Sequence, residues 1–283
     1  MGFSGRTDLA SESHRLWRVQ AGEAAALEGV TVREERLRGF PVTAVSIIKE
    51  EGARTLGKAP GNYYHLTLPE TLFGFDPSFE NAVFALAELI RRCLPPSPQT
   101  VLIAALGNPD VTPDALGPLC AESVLVTRHL RGESAFRSLR STALCRTGVL
   151  GTTGLESAFQ LRALCAALHP ACVIAVDALA GTEAESLCRC VQVCNAGIAP
   201  GSGVGNDREA LCYETLHVPV VSLGVPTVID AAALSEDSSV SSFFVTPRYI
   251  DSAVRRCAKL IGFAINAALH DGLTLADMRL LLE

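Results

Sequence analysis

Two aspartates stand at places where a sheet protein could do acid–base chemistry. Asp114 lies in the run Gly107-Asn108-Pro109-Asp110-Val111-Thr112-Pro113-Asp114-Ala115-Leu116-Gly117-Pro118, which follows an apolar stretch over 101–106. Asp177 closes a second apolar stretch, 172–176, and is followed by Ala178-Leu179-Ala180 with no adjacent Lys or Arg to neutralise it. Continuous apolar runs of this kind suit central parallel strands. Ligands collect beyond the carboxyl ends of such strands, so aspartates leaving two ends can meet over one substrate. Two carboxylates that close cannot both ionise easily, so one keeps a proton, and the pair can activate a water molecule.

Each residue also has a plainer reading. Thr112 fits a helix N-cap and Pro113 the first helical position, which puts Asp114 in a first turn where the helix dipole favours a negative charge. Asp177 could serve only to accept from the amides of the following loop. If the pair is chemical, Asp177 is the partner with the raised pKa and Asp114 the ionised base, although a coupled pair titrates jointly and the roles can reverse. His129, after Val126-Thr127-Arg128, could orient a carboxylate or simply be satisfied at a helix end.

Two glycine-rich stretches flank these residues. One is 148–154, containing Gly151 and Thr152, and the other is 197–206, containing Gly201, Gly203 and Asn206. Glycine lets backbone amides approach a ligand closely, and ordinary tight turns use it too. Asn206 stands where a dinucleotide fingerprint would need glycine, and no Gly-Lys-Ser/Thr ending of a phosphate loop is present. Ser202, flanked at two residues by Pro200 and Val204, is not a nucleophile elbow. There is no His-Glu-x-x-His zinc motif and no Asp-Thr/Ser-Gly triplet.

The elements needed to position the pair are legible as an alternation. Strands are expected over 42–48 and 63–68, forming an antiparallel edge, then a helix over 79–93 and a strand over 101–106. Helices over 112–126 and 155–168, strands over 172–176, 191–194 and 218–223, and a closing helix over 247–270 follow, with a loop over 235–242. This pattern predicts an α/β fold of three αβα layers around a mostly parallel central sheet with an antiparallel edge. At 283 residues and 48% hydrophobic, one large domain is expected.

Lys plus Arg number 24 against 30 Asp plus Glu, so no general attraction to nucleic acid or an anionic membrane is expected. The N-terminus lacks the apolar region of a signal peptide, which predicts a cytoplasmic protein. The most apolar stretch, 217–234, is interrupted by Pro219, Pro226 and Asp230, which argues against a membrane span. The 10 cysteines then read as reduced thiols packed as small hydrophobes. Even spacing would put Cys188, Cys190 and Cys194 on one strand face, but zinc sites favour four ligands in tighter pairs, so no metal is assigned.

Beyond these readings, a set of strings in consistent order resembles the germination protease family, the spore endopeptidases that degrade small acid-soluble spore proteins. They are Val111-Thr112-Pro113-Asp114-Ala115-Leu116-Gly117-Pro118, Val126-Thr127-Arg128-His129-Leu130, Gly148-Val149-Leu150-Gly151-Thr152-Thr153-Gly154, Ala175-Val176-Asp177-Ala178-Leu179-Ala180, Pro200-Gly201-Ser202-Gly203-Val204-Gly205-Asn206 and Gly224-Val225-Pro226-Thr227-Val228-Ile229-Asp230. The resemblance runs from Arg6 to about Ala233. It implies a fold related to hydrogenase-maturation peptidases, a homo-tetramer, a zymogen made in the developing spore, no cofactor, and spore proteins as substrate. It also implies Asp114 and Asp177 as the catalytic aspartates, the pair the residues themselves suggest, with Asp230 in reserve for shaping the site.

Thr7-Asp8-Leu9-Ala10-Ser11-Glu12 looks like the acidic-then-aliphatic site such enzymes cut in their substrates. Self-processing between Asp8 and Leu9 would make 1–8 a short propeptide and 9–283 the peptidase domain. Two departures stand out. Asn195-Ala196-Gly197-Ile198-Ala199 replaces the family's usual Asp-Thr-Gly-Ile-His, and the segment over 234–246 is shorter than usual. Two rival readings are a metal-dependent peptidase with His129 as a ligand and a non-catalytic module whose 201–205 loop holds an anion. The lack of Lys or Arg between Pro200 and Asn206 speaks against the latter.

Overall fold

The computed structural model describes residues 7–22, 25–69, 77–97, 99–205, 208–234 and 243–282. Two long strands make its centre. β4 (Val101–Leu106) is buried at every position, and β6 (Cys172–Gly181) is buried at all but one. They pair in parallel from Val101↔Cys172 to Ala105↔Val176, and β6 also pairs in parallel with β8 (Val220–Asp230). β5 (Thr142–Gly148) extends the parallel part beyond β4.

In the other half of the sheet the strands alternate in direction. β7 (Cys190–Cys194) pairs antiparallel with β8 and with β3 (Gly61–Thr67), followed outward by β2 (Phe40–Ile47) and β1 (Val30–Leu37), again antiparallel. A short β9 (Phe244–Val245) joins β8 antiparallel. The order is β1-β2-β3-β7-β8-β6-β4-β5. The expected mostly parallel sheet is thus corrected to a mixed one, in which antiparallel pairing is the larger part among the described residues, five strand pairs against three, rather than an edge. Apolar runs mark a buried strand but carry no information on its direction.

Helices cover both faces. α3 (Pro77–Cys93) and α8 (Ile250–Leu269) bury Phe79, Leu86, Phe263 and Ile265 against Ile103, Ile174, Val176 and Val191. On the opposite face α6 (Ser157–Leu168) packs Ala158, Leu161 and Cys165 on Leu102, Ala104, Val173 and Ala175. There α1 (Ala10–Ala21) and α2 (Glu50–Leu56) cover the antiparallel half, with Ala10, Ala53 and Leu56 against Val45, Ile47 and Tyr63. Remaining helices are α4 (Leu116–Cys120), α5 (Leu150–Thr153), α7 (Tyr213–Leu216) and α9 (Leu275–Leu282).

The helix expected over 112–126 is broken up. Thr112–Asp114 is a single 3-10 turn, α4 lasts five residues, and a second 3-10 turn ends at Ser123. Thr112 does not cap it: Val111 holds the N-cap position of the first turn, and Thr112 Oγ1 donates to Asp251 Oδ1 instead, at 3.0 Å. Two strands outlast their apolar runs. β8 tolerates Pro226 because it lies past the last β7–β8 pair, Gln192↔Gly224, so no ladder bond to β7 needs its missing N–H. The expected loop over 235–242 lies outside the described residues. No described helix is long and apolar enough to cross a membrane.

Candidate active site

β4 ends at Leu106, and Gly107 turns the chain away with φ +104°, a left-handed value that favours glycine. The turn folds back until a side-chain carbon on Gly107 would lie 2.0 Å from the carbonyl oxygen of Asp114. The Asn108 N–H donates to Asp114 Oδ2 at 2.8 Å, and the Asp114 N–H donates to the Val111 carbonyl at 2.8 Å. Asp114 is therefore locked by its own loop above the end of β4.

Asp177 sits one residue past the last β4–β6 pair, where β6 continues only beside β8 in register with Gly224. Strand alternation gives it the parity of Val173 and Ala175, so it shares the α6 face of the sheet. It is 4% exposed, and its Oδ1 accepts from the Ala178 N–H at 3.0 Å. Gly117 of α4 closes this corner. A side-chain carbon there would meet the Leu106 carbonyl at 2.2 Å and the Val176 carbonyl at 2.7 Å, so the helix rests directly on the ends of both strands.

Both aspartates line one cavity of about 310 Å³. Burial pushes Asp177 well above the usual carboxylate range; the charges of Asp114 and Asp8 add to this, and the Ala178 N–H and Arg208 oppose it. Asp114 is also raised by burial, while the Asn108 N–H and Arg208 hold it back. Asp177 thus has more reason to keep a proton and Asp114 more reason to be ionised.

Asp8 reaches the same cavity from the other end of the chain. Its N–H donates to the Ala180 carbonyl at 2.9 Å, and its Oδ2 accepts from the Ala180 N–H at 2.8 Å. Its Oδ1 accepts from Ser202 Oγ at 2.7 Å, and its carbonyl accepts from Gln192 Nε2 at 3.1 Å. Residue 8 is thereby fastened to β6 three residues past Asp177. Lys58 Nζ donates to the Thr7 carbonyl at 2.7 Å, and Leu9 is fully buried with Leu179 and Cys190.

The other expected residues divide. Gly201 lines the cavity, with φ +73°, and Gly203 packs so tightly on Asp8 that a side-chain carbon would lie 2.3 Å from Oδ2. Gly148 and Val149 line it, whereas Gly151 and Thr152 are exposed one turn further on, where Thr152 Oγ1 donates to the Val149 carbonyl. His129 is exposed on a 3-10 turn away from the lining. Asp230 caps the turn at Ala231–Ala233 by accepting from Ala232 N–H at 2.9 Å, off the cavity. Asn206 lies outside the described residues.

Arg208 went unnoticed in the sequence, yet it lines the cavity beside both aspartates. Of the cysteine trio, Cys190 and Cys194 are in β7 while Cys188 precedes the strand. Among the described residues no group of three or more His, Cys, Asp and Glu is placed to hold a metal ion.

Comparison with known proteins gives a consistent answer. A family model described as Germination protease matches residues 7–244. A germination protease of Caldanaerobacter subterraneus subsp. tengcongensis is 35% identical, with 98% of each chain covered. One from Clostridium perfringens is 33% identical, again with 98% of each covered. One from Bacillus cereus is 39% identical over 83% of this chain and 66% of its own.

Proposed function

The chain belongs to the germination protease family, and from that premise we propose that it starts the degradation of small acid-soluble spore proteins through the Asp114–Asp177 pair. The peptidase class follows from the family; the substrate and the aspartic mechanism are our reading. The observation that carries it is the meeting of two carboxylates from two strand ends in one cavity, with Asp177 almost fully buried.

Asp114 takes a proton from the water that attacks the peptide carbonyl carbon, and Asp177 gives its proton to the nitrogen that leaves. The new C–O bond and the broken C–N bond leave an acid and an amine. One proton stays on the pair, having changed sides. The exposed position of His129, away from the cavity, speaks against the metal-dependent reading in which it is a ligand.

The seat of Asp8 in the same cavity supports self-processing between Asp8 and Leu9, and the family supports a zymogen, a homo-tetramer and a spore interior location. The test is cleavage of a purified small acid-soluble spore protein by wild type, Asp114→Asn and Asp177→Asn, each with and without EDTA. Cleavage that resists EDTA and disappears in both variants is expected. Loss with EDTA would overturn the aspartic mechanism, and active enzyme whose intact mass still includes Met1 or Gly2 would overturn the processing step. Sedimentation at working concentration reads the tetramer.

A further inference from the structure

An oxyanion is hard to form in this cavity. Three aspartates line it while residue 8 is attached, and the amides that face the two catalytic ones are engaged in either case: Asn108 N–H on Asp114 and Ala178 N–H on Asp177. Ser202 Oγ lies off the lining, and Ser157 Oγ, which is part of it, donates to Thr147 Oγ1. Among the described residues lining the cavity, Arg208 is the single cation.

Among the described residues Arg208 is also a donor with capacity to spare. Its side chain is 26% exposed, and its ion-pair partner, Glu156, stands at 3.8 Å, beyond hydrogen-bond reach. A guanidinium carries five N–H donors in a planar fork. Glu156 immediately precedes α6, whose first residue, Ser157, is itself part of the lining. The pair thus holds the guanidinium at the rim without consuming its donors.

We propose that Arg208 is a catalytic residue of the peptidase reaction, donating from its guanidinium to the carbonyl oxygen of the bond being cut. This rests on the reading given under the proposed function and supplies what that reading lacks. As water's oxygen bonds to carbon and its proton passes to Asp114, the carbonyl π pair moves onto oxygen, where Arg208 meets the new charge. When the C–N bond breaks, the pair returns to carbon–oxygen bonding and Asp177 protonates the leaving nitrogen. The same cation favours an ionised Asp114 before the step, as its opposition to the burial shift indicates.

The experiment compares wild type, Arg208→Gln, Arg208→Ala, Arg208→Lys and Glu156→Gln on a purified spore protein, with kcat and KM separated and the pH profile recorded. Removing one preorganised oxyanion donor costs about 100- to 1,000-fold in kcat. Arg208→Gln is expected to show that loss with KM changed by less than about threefold, a scale well below the loss of a transition-state contact. Its acid limb of kcat/KM should move to higher pH, because the carboxylates lose the cation that lowers them. Arg208→Lys should retain part of the rate, and added guanidinium ion at millimolar concentration should restore part of the activity of Arg208→Ala. Glu156→Gln, which removes only the partner that holds the guanidinium at the rim, should lose less of kcat than Arg208→Gln. Thermal unfolding of each variant distinguishes a folded enzyme from a misfolded one, and guanidinium rescue requires a folded cavity.

Arg208→Gln with kcat near wild type and an unmoved acid limb would overturn the proposal and leave the aspartate mechanism standing. A folded Arg208→Ala that is slow but gains nothing from guanidinium, while Arg208→Lys is as slow, would also overturn it. Wild type that cuts no spore protein would defeat the peptidase reading itself.

Discussion

Asp177→Asn should inactivate the enzyme and stabilise the fold, with the gain growing as the pH rises. In the unfolded chain an aspartate titrates near pH 3.9. In the folded protein Asp177 is held well above that by burial, then by Asp114. Between the two values the folded state keeps a proton that the unfolded state has lost, so wild-type stability falls as pH rises, by about 1.4 kcal/mol per pH unit. Below about pH 4 both states are protonated and the penalty is absent. Asparagine has no proton to lose, and its amide oxygen can still accept from the Ala178 N–H that Asp177 now receives at 3.0 Å. The gap between variant and wild type should therefore be small near pH 4, open at that slope, and level off at the folded-state pKa. In a chain of this size each kcal/mol is worth roughly 2–4 °C in Tm. Urea unfolding of both proteins at unit pH steps from 4 to 8 measures the gap directly. In an Asp114→Asn background the levelling should come at lower pH, because one of the charges that raise Asp177 is gone. A flat gap, or a wild type that gains on the variant as pH rises, would show that Asp177 is an ionised structural acceptor and would refute the paired-proton reasoning.

Two further expectations follow from packing. Gly117→Ala should destabilise by about 1–3 kcal/mol or more, the range of overpacked sites, since its new carbon would meet three backbone atoms of β4 and β6 at 2.2 to 2.7 Å and none can rotate away. Gly132→Ala, which meets nothing within 4 Å at an ordinary φ, is the control and should be near neutral; equal Tm values for the two would refute the argument. Thiol titration with an aromatic disulfide should reach at most Cys145 and Cys212 quickly in the native state and all 10 cysteines after unfolding, because the others are buried. Burial pushes Cys93 and Cys172 up to about 12 and Cys165 and Cys257 to about 11, so little of the reactive thiolate exists at neutral pH. More than two fast-reacting thiols would contradict it.

The parts of this site that were legible in the sequence are those carried by local pattern. Asp114 and Asp177 each follow an apolar run that had to be a central strand, and a polar residue at the end of such a run faces the edge where the sheet opens. The direction of β7 was not legible, because Cys190–Cys194 is buried on both faces and reads the same either way. Nor was the break-up of the 112–126 helix, which follows from Gly117 seating α4 directly on two strand ends.

The seat of Asp8 in the cavity, beyond its expected place at a processing site, and the role of Arg208 were hidden for different reasons. Asp8 meets Ala180 and Ser202 across 172 and 194 residues of chain, a contact no local spacing encodes. Arg208 is flanked in sequence by Asp207 and Glu209, which makes it look like one member of a self-neutralising surface run. In the fold Glu209 pairs with Arg162 on α6, and Arg208 leans toward Glu156 and the cavity. The absence of a cation within the 200–206 stretch had argued against an anion being held there; the structure supplies the cation two residues later, next to carboxylates rather than alone. A cation so placed cannot serve as a simple anion trap, since Asp114 already competes for it. It can serve a charge that appears only during a reaction, when the carbonyl oxygen becomes the most concentrated negative centre within its reach.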